Sequence, residues 1–269
     1  MWYILLIFII LILLTLLLIE HSLKIKNKKE LLEYLQKEEG KFKRELTQNI
    51  AHELKTPVTT IQGYLETLIH IPHIPEEKRR FFIERSYSQA IRLANLVNDI
   101  STLNKTEAKK IPADFKYISV SQIIEEVVSD TALQREEKAQ SLTLKLNDEI
   151  EIQGDYSLIY SLFRNLSDNA TAYSGEHSQI TIECTKEDKA HYHFSFSDNG
   201  VGIPENKIER IFERFYRVDK GRSRTSGGTG LGLAIVKNAV LFHGGTISVK
   251  NRAEGGLEFL FTLSKKMNG

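Results

Sequence analysis

A histidine with a carboxylate beside it stands in the segment Asn49–Pro57 and offers the chain a nucleophile. His52 is two residues from both Ile50 and Leu54, which places it about 200° around a helix from the apolar stripe to which they belong. It should therefore face solvent, where Glu53 can orient the ring and stabilise the positive charge that forms on it. A surface histidine without a chemical role would give the same local pattern.

Thr56 and Pro57 add a hydroxyl and a bend to this predicted helix. Thr56 is four residues after His52 and so lies one turn away on the same face. Pro57 has no N–H, which leaves the carbonyl of Glu53 without its helical partner and bends the helix beside the histidine. The segment therefore predicts an exposed ring at a bend, with a hydroxyl within one turn.

Asn165 and Asn169 lie four residues apart near the end of a helix predicted over 156–172, and so share one helical face. Side-chain amide oxygens suit Mg²⁺, which prefers oxygen ligands and keeps several waters beside phosphate groups. Asparagine is also common where a helix ends, so the pair taken alone fits an ordinary helix terminus as well.

An aspartate and two glycines follow the apolar strand predicted over 191–197. Asp198 at the strand end can accept a hydrogen bond from an exocyclic amine, and Gly200 and Gly202 let the backbone approach a ligand closely. Asp-Asn-Gly is also an ordinary turn signal, so a plain turn is the alternative.

A glycine-rich segment opens the helix predicted over 231–242. The free N–H groups of a helix start, together with glycines, make a cradle for phosphate groups. The segment matches neither a Walker A loop nor a dinucleotide fingerprint. The basic stretch 217–226 before it indicates either a lid whose arginines meet phosphate charge or a solvated surface loop. The cradle comprises Gly228, Gly230, Leu231 and Gly232.

Two long helices are predicted to present the histidine. Apolar residues at spacings of three and four indicate one helix over 23–71. The prolines of the segment 72–75 prevent the helix from continuing. A second helix is predicted over 76–104, with acidic residues in its first turn. Two amphipathic helices joined by a short turn make an antiparallel hairpin.

The predicted hairpin has apolar stripes that it cannot bury alone. The first stripe comprises Ile50, Leu54, Val58, Ile61, Leu65 and Leu68. The second comprises Phe82, Ala90, Leu93, Val97, Ile100 and Leu103. Two copies that pair into a four-helix bundle would bury both stripes, so we expect a homodimer, although packing onto the rest of the chain would also hide them.

A polar linker over 105–116 leads into a part with mixed strand and helix patterns. The strands are predicted over 117–120, 142–146, 151–153, 179–185, 191–197, 246–250 and 257–263. The helices are predicted over 121–138, 156–172 and 231–242. Runs of strands beside helices predict an α+β sandwich.

The composition sets limits on the class of protein. The 269 residues allow one or two domains, and 36 Lys+Arg against 35 Asp+Glu give a net charge of +1, so no direct binding to nucleic acid is expected. The single cysteine, Cys184, stands in an alternating apolar stretch and is predicted to be a buried structural thiol. A chain without a disulfide framework fits a reducing cytosol.

The N-terminus is strongly apolar. Trp2–Ile19 is interrupted only by Thr15, and as a helix it would span about 27 Å, close to the hydrocarbon thickness of a membrane. Four lysines follow within residues 24–29, so the positive-inside rule places the rest of the chain in the cytoplasm. We therefore expect a single-pass anchor over 1–20. A cleaved signal peptide is the alternative, but the run lacks a positive n-region and a cleavage site.

Taken in order, these segments resemble the sensor histidine kinases of two-component signalling, from about residue 41 to the C-terminus. The family has five sequence boxes, and each has a similar segment here. Ala51–Pro57 resembles the phosphoacceptor box, Asn165–Ala170 the N box and Asp198–Pro204 the adenine-binding box. Ile211–Asp219 resembles the phenylalanine box and Gly228–Gly232 the second glycine box. The resemblance implies a juxtamembrane helical linker over 21–40, a dimerisation and phosphotransfer domain over 41–108, and an ATP-binding domain like those of gyrase and Hsp90 over 114–269. It also implies the bacterial inner (cytoplasmic) membrane as location.

The resemblance implies the chemistry of the helical segment. His52 would be the nucleophile that ATP–Mg²⁺ phosphorylates, and Glu53 would be its acid/base partner. The phosphoryl group would pass to an aspartate of a response regulator. Thr56 would position water when the protein acts as a phosphatase on that partner.

The resemblance also implies the nucleotide contacts. Asn169 would hold Mg²⁺, Asp198 would contact the adenine amine and Arg217 would meet the γ-phosphate. The other implied ATP-binding residues are Asn165, Tyr173, Gly200, Gly202, Gly228, Gly230, Leu231 and Gly232. Many relatives carry a lysine where this chain has Ala172, so ATP binding here is expected to be weaker or to use Arg217 or Arg222 instead.

Two rival functions stay open at this point. The main role would be phosphatase activity towards the partner if Ala172 weakens the kinase reaction. Alternatively, the chain would be a nucleotide-binding clamp or scaffold of the gyrase or Hsp90 type without phosphotransfer, although such proteins lack the His-Glu-x-x-Thr-Pro helix.

Overall fold

In the computed structural model, two long helices are followed by alternating strands and shorter helices. The structure describes residues 2–107, 116–146, 149–218 and 228–266. The chain divides into two compact units, residues 1–55 and residues 56–269. The first unit is the N-terminal part of the first helix, and the second holds the rest of that helix and all other elements.

Helix α1 spans Trp2–His70 and helix α2 spans Glu76–Glu107. Helix α1 continues through Pro57 and ends just before the prolines of the turn, as the pattern predicts. Within the second unit, the rings of Tyr64 and Phe82 stack with their centroids 5.4 Å apart. The helical hairpin predicted from the sequence is therefore confirmed.

The anchor predicted over Trp2–Ile19 is not confirmed. Helix α1 includes this segment, but the side chains of residues 3–25 lie outside the described residues. Among the residues that the structure does describe, no helix is long and apolar enough to cross a membrane.

The remaining elements form a sheet with helices packed against it. The strands are β1 (Lys116–Ser119), β2 (Ser141–Lys145), β3 (Glu151–Gly154), β4 (Gln179–Glu187), β5 (His191–Asp198), β6 (Ile247–Asn251) and β7 (Leu257–Ser264). The helices are α3 (Val120–Asp130), α4 (Ala132–Glu136), α5 (Tyr156–Tyr173) and α6 (Gly232–Phe242), with a 3-10 helix over Glu205–Arg210.

Five strands make the main sheet in the order β2-β4-β5-β7-β6. β2 is parallel to β4, and the other neighbours are antiparallel. β1 and β3 pair separately as an antiparallel ribbon. Buried side chains alternate along β4 because only one face of the strand meets the core. The predicted α+β fold is confirmed.

Three phenylalanines mark the centre of the core between α5 and the sheet. Phe163 of α5 lies edge-on to Phe194 of β5, with ring centroids 5.8 Å apart. Phe194 in turn stacks on Phe261 of β7 at 5.3 Å. All three are buried, so α5 packs over β5 and β7. Aromatic residues of this size contribute much of the apolar area that stabilises a core.

Three local features differ from the sequence predictions. The helix predicted over 121–138 is two helices, because Thr131 bonds back to the carbonyl of Val127 and separates them. The sequence pattern does not predict the 3-10 helix after Pro204. β4 has an irregularity between Cys184 and Lys186. Cys184 itself is buried, as expected, and burial raises the pKa of its thiol.

The apolar face of α2 is partly covered within the chain. Leu96, which the predicted stripe omits, and Leu103 are both buried. They are seven residues apart and so share the face that packs on α6. Val97 stays 52% exposed, and Val58 and Leu65 of α1 are exposed as well. The stripes of the hairpin are therefore only partly hidden by this single chain.

Candidate functional site

His52 is exposed on α1, as the sequence predicts. Its side chain is 76% accessible, and its Nδ1 lies 3.8 Å from Oε1 of Glu53. That distance is within reach of an ion pair once the ring is protonated. A carboxylate on the Nδ1 side favours the tautomer with its proton on that nitrogen, which would leave Nε2 as the nucleophile.

Thr56 is exposed, and Pro57 beside it is buried. The carbonyl of Thr56 accepts a hydrogen bond from Oγ1 of Thr60 at 2.9 Å. The Thr60 side chain therefore adds a hydrogen bond to the helix next to Pro57, and Thr56 remains accessible to solvent.

Helix α5 carries the two asparagines, and its N-terminus is fixed by Asp155. Oδ1 of Asp155 accepts the N–H of Leu158 at 3.1 Å, which is an N-cap bond. Oδ2 accepts Nζ of Lys105, from α2, at 2.6 Å. Burial raises the pKa of the Asp155 carboxyl, but the bonds from Lys105, Ser157 and Leu158 outweigh burial and leave that pKa below its ordinary value.

A buried histidine supports the same helix start. Nε2 of His243 accepts the backbone N–H of Asp155 at 3.0 Å, while Nδ1 donates to the carbonyl of Ala239 at 2.8 Å. Burial lowers the pKa of His243, which keeps the ring neutral and able to accept. Gly154 is required beside it, since an added Cβ would lie 2.7 Å from Nε2.

Replacing Asp155 with alanine should destabilise the domain by about 1 kcal/mol, the usual effect of losing an N-cap; the half-exposed Lys105 pair adds little. Because the folded-state pKa of Asp155 is depressed, its contribution is present above the unfolded pKa, near 4, and lost as pH falls through the folded value. Thermal unfolding at neutral pH and near pH 3 checks this. The wild type and the variant should differ at neutral pH and converge in acid; an equal difference at both would contradict the assignment.

Asn165 lies against the glycine-rich loop. Its Nδ2 donates to the carbonyl of Ser161 at 2.8 Å, and a Cβ added to Gly232 would lie 2.5 Å from its Oδ1. Asn169 is one turn further along α5 and half-buried. The structure therefore brings the asparagine face of α5 to the start of α6, two segments that lie far apart in the sequence.

Asp198 ends β5 and is only 7% exposed. Its Oδ1 accepts the N–H of Gly200 at 2.8 Å. Burial raises the pKa of the Asp198 carboxyl, and the N–H groups of Gly200 and Leu257 oppose that rise. A Cβ added to Gly200 would lie 2.6 Å from Cα of Ser174, so the end of α5 packs directly on this turn.

Two glycines of the site adopt a left-handed conformation beside close neighbours. Gly230 has φ +74°, and an added Cβ would lie 2.9 Å from Cα of Phe215, whose N–H donates to the carbonyl of Gly230 at 2.8 Å. Gly202 has φ +67°, and its Cβ would lie 2.5 Å from Oδ1 of Asn251. Both positions need glycine for conformation and for space.

The start of α6 offers backbone N–H groups to a ligand, although that of Leu231 is bonded to the hydroxyl of Thr229. Its N-cap residue, Leu231, provides no side-chain cap, and the first N–H groups of a helix have no intrahelical acceptor. Tyr173 reaches the same loop, since a Cβ added to Gly228 would lie 3.3 Å from its hydroxyl. The positive end of the helix dipole adds to the attraction for an anion.

Arg217 is half-buried in the segment that follows the 3-10 helix. Nζ of Lys207 donates to the carbonyl of Val218 at 3.0 Å, and the guanidinium of Arg210 lies over the ring of Tyr216 at 4.3 Å. These contacts hold the segment up to residue 218. The rest of the predicted lid, including Arg222, lies outside the described residues.

Together these groups form one site with two chemically distinct ends. A buried carboxylate, Asp198, can accept a hydrogen bond from an amine at one end. The helix start at Gly232 can bind phosphate oxygens at the other, with Asn165 beside it. The arrangement suits a ligand that carries an amino-substituted base and a phosphate chain.

Sequence reasoning does not identify several residues of the site. Asp155 has a signal, since an aspartate directly before an apolar-periodic run predicts an N-cap. Ser174 and Phe215 contact glycines through their backbones, which leaves no trace in residue type. Asp99 of α2 bonds to Thr229, and no spacing rule relates residues so far apart.

Two family models match the chain. The model described as Histidine kinase-, DNA gyrase B-, and HSP90-like ATPase matches residues 154–267. The model of the His Kinase A (phospho-acceptor) domain matches residues 42–109. The second range contains the segment with the exposed histidine, and the first contains the site between α5 and α6.

Several characterised proteins are similar to this chain. Sensor histidine kinase WalK of Bacillus subtilis is 33% identical over 226 residues, which are 83% of this chain and 37% of WalK. Sensor-like histidine kinase SenX3 of Mycolicibacterium smegmatis is 34% identical over 222 residues, 82% of this chain and 57% of SenX3. The chain thus spans little more than a third of one relative and just over half of the other.

A solved structure shares the fold over most of the chain. Histidine kinase ThkA in complex with the response regulator protein TrrA gives a TM-score of 0.56 at 23% identity. The match covers 82% of this chain and 61% of that one.

Proposed function

The chain belongs to the sensor histidine kinases of two-component signal transduction, and from this premise we propose that it phosphorylates His52 with ATP and passes the phosphoryl group to an aspartate of a response regulator. The observation that carries the proposal is the exposed His52 beside Glu53, within the range matched by the phospho-acceptor model. The site between α5 and α6 would supply the nucleotide.

The first chemical step is an in-line displacement at the γ-phosphorus. Nε2 of His52 forms the P–N bond, the bond from the γ-phosphorus to the bridging oxygen breaks, and ADP leaves with that electron pair. Glu53 stabilises the charged ring and takes the Nδ1 proton. In the second step the receiver aspartate attacks the phosphorus, the P–N bond breaks with its electron pair returning to Nε2, and Glu53 returns the proton to the ring, so the neutral histidine is regenerated.

The nucleotide would lie along the site in one direction. Asp198 accepts the adenine amine, with Gly200 and Gly202 shaping the turn beside it. Tyr173 and Arg217 would lie alongside the nucleotide, with Arg217 meeting the γ-phosphate. The remaining proposed phosphate contacts are Asn165, Gly228, Gly230, Leu231 and Gly232.

Mg²⁺ fits this site as a partner of the nucleotide. Among the described residues, no group of three His, Cys, Asp or Glu side chains is placed to hold a metal. Asn169 offers one amide oxygen at the phosphate end, and Mg²⁺ typically combines few protein ligands with phosphate oxygens and water. Bound there, the ion would neutralise charge on the transferring phosphoryl group.

We further propose that the active form is a homodimer. Val58, Leu65 and Val97 leave apolar area exposed on the hairpin, and a second copy would cover it as a four-helix bundle. The response regulator would dock on the same hairpin near His52; the related ThkA has been solved with a response regulator protein.

The apolar segment Trp2–Ile19 is proposed to anchor the chain in the bacterial inner membrane, with the catalytic parts in the cytoplasm. Extraction of membranes with alkaline carbonate tests this. The full chain should stay with the membrane, and its release into the soluble fraction would contradict the anchor.

Incubating the full chain with γ-labelled ATP and Mg²⁺ tests the kinase proposal. Label should enter the protein in a form that acid removes and alkali preserves, as expected for a phosphohistidine. It should then transfer to an isolated receiver domain. Absence of label under conditions where ATP binds would favour the nucleotide-binding clamp or scaffold instead.

A phosphatase role towards the response regulator is the second candidate, favoured by Ala172 and the exposed Thr56. If a lysine at position 172 normally steadies ATP phosphates, Ala172→Lys should raise the phosphorylation rate at low ATP by roughly tenfold or more, since a hydrogen bond to a charged group contributes about 1.5–3 kcal/mol. Dephosphorylation of a labelled receiver should not change. Ala172→Met, which adds a similar volume without charge, is the control. An equal gain in both variants would contradict the electrostatic explanation.

A further inference from the structure

The second hairpin helix docks on the ATP-binding domain through a polar row beside its buried leucines. Oδ2 of Asp99 accepts the hydroxyl of Thr229 at 2.9 Å. Oγ1 of Thr106 accepts Nδ2 of Asn238, on α6, at 3.3 Å. Asp99 and Thr106 are seven residues apart, like Leu96 and Leu103, so these residues face the domain together.

Asp99 thereby reaches the proposed phosphate cradle. Thr229 stands between Gly228 and Gly230, and its Oγ1 also accepts the backbone N–H of Leu231 at 3.2 Å. A chain of hydrogen bonds therefore runs from the N–H of Leu231 through the threonine hydroxyl to the carboxylate of Asp99. In this docked arrangement one N–H group of the cradle is already occupied, and a carboxylate stands directly behind it.

The surroundings of Asp99 are already unfavourable for more negative charge. The side chain is half-buried; burial and the nearby Asp168 raise the pKa of the Asp99 carboxyl, and the bond from Thr229 opposes that rise. Asp168 is itself paired with Nε of Arg164 at 3.0 Å. Each phosphate group that enters the cradle adds charge of the same sign as Asp99.

We propose that Asp99, a residue of the phosphotransfer hairpin, determines the nucleotide affinity of the cradle while α2 is docked, penalising nucleotides in proportion to the charge of their phosphate chain. This inference rests on the proposed ATP-binding function. It makes α2 docking and nucleotide binding mutually opposed: by linkage, a nucleotide that is disfavoured by Asp99 weakens the docking of α2 to the same extent.

The size of the effect follows from Coulomb's law. A unit charge about 8 Å from another, at an effective dielectric constant of about 20, changes an equilibrium by roughly 30-fold. Mg²⁺ and salt reduce this. We expect a penalty of about 5- to 30-fold for ATP, a smaller one for ADP, and none for adenosine, which has no phosphate.

The test is the Asp99→Asn substitution in the full chain, with dissociation constants measured for ATP, ADP and adenosine in the presence of Mg²⁺. Asparagine keeps the shape and can still accept from Thr229, so only the charge is removed. ATP should bind about 5- to 30-fold more tightly, ADP should gain less, and adenosine should be unchanged. Glu187→Gln neutralises a carboxylate paired with Lys265 at the end of the sheet remote from Asp198, and it should change none of the three.

A purely structural role for Asp99 predicts a different result, because loosened packing would shift all three ligands by a similar factor. If the wild type binds ATP, and the Asp99→Asn variant shows equal shifts for the three ligands or no shift, the proposed role of Asp99 is overturned while the proposed function stands. A wild type that binds none of the three would overturn the proposed function and this inference with it.

Discussion

Replacing His52 with glutamine should reduce the incorporation of label from γ-labelled ATP to background. Glutamine keeps polarity and helix propensity but has no nitrogen that can act as a nucleophile. His52 is 76% exposed, so the substitution removes no packing, and nucleotide binding should be unaffected. Both quantities can be measured on one preparation, by label in the protein and by ATP titration.

His70 provides a matched control for this experiment. It stands on the same helix, is exposed, and places Nδ1 2.9 Å from the carbonyl of Glu66. His70→Gln should retain full labelling. Persistent labelling of the His52 variant, or its loss in the His70 variant, would show that the phosphoacceptor is another residue.

Replacing Asp198 with asparagine should weaken ATP binding by roughly 10- to 100-fold. A hydrogen bond to an ionised, buried acceptor contributes about 1.5–3 kcal/mol, and each 1.4 kcal/mol is tenfold in affinity. Asparagine preserves the shape and can still accept the N–H of Gly200, so the turn should survive. Phosphorylation of His52 should fall in parallel at low ATP and recover in part at high ATP.

A comparison of ATP with inosine triphosphate distinguishes recognition of the base by Asp198 from support of the turn by the same residue. Inosine triphosphate carries an oxygen where ATP carries the amine, so the wild type should bind it poorly. The side-chain amide of the Asp198→Asn variant offers a donor as well as an acceptor, so its preference for ATP over inosine triphosphate should shrink. An unchanged preference, with both affinities lowered equally, would indicate that Asp198 supports the turn and does not read the base.

The sequence predicts the elements well because their signals are local. The hairpin follows from apolar spacing and from the prolines of the turn, and the strand that ends at Asp198 follows from alternation. Helix α5 lies almost where the pattern places it, over Tyr156–Tyr173. The exposure of His52 likewise follows from its angle to the apolar stripe.

The contacts between segments distant in sequence could not be predicted in the same way. The approach of Asn165 to Gly232 depends on how α5 and α6 pack. The bond from Thr229 to Asp99 depends on the docking of α2. Such contacts are set by tertiary packing, which residue type and spacing do not encode.

The continuity of α1 has a mechanical consequence. Between Trp2 and His52 the backbone is one uninterrupted helix, a rod about 75 Å long at 1.5 Å per residue. Such a rod transmits twist along its axis, so a rotation imposed at its N-terminal end turns the direction of the imidazole through the same angle. Each residue added to the rod would change the phase of His52 by about 100°, while seven would nearly restore it. The direction of the His52 ring therefore depends on the angular position of a segment some fifty residues away.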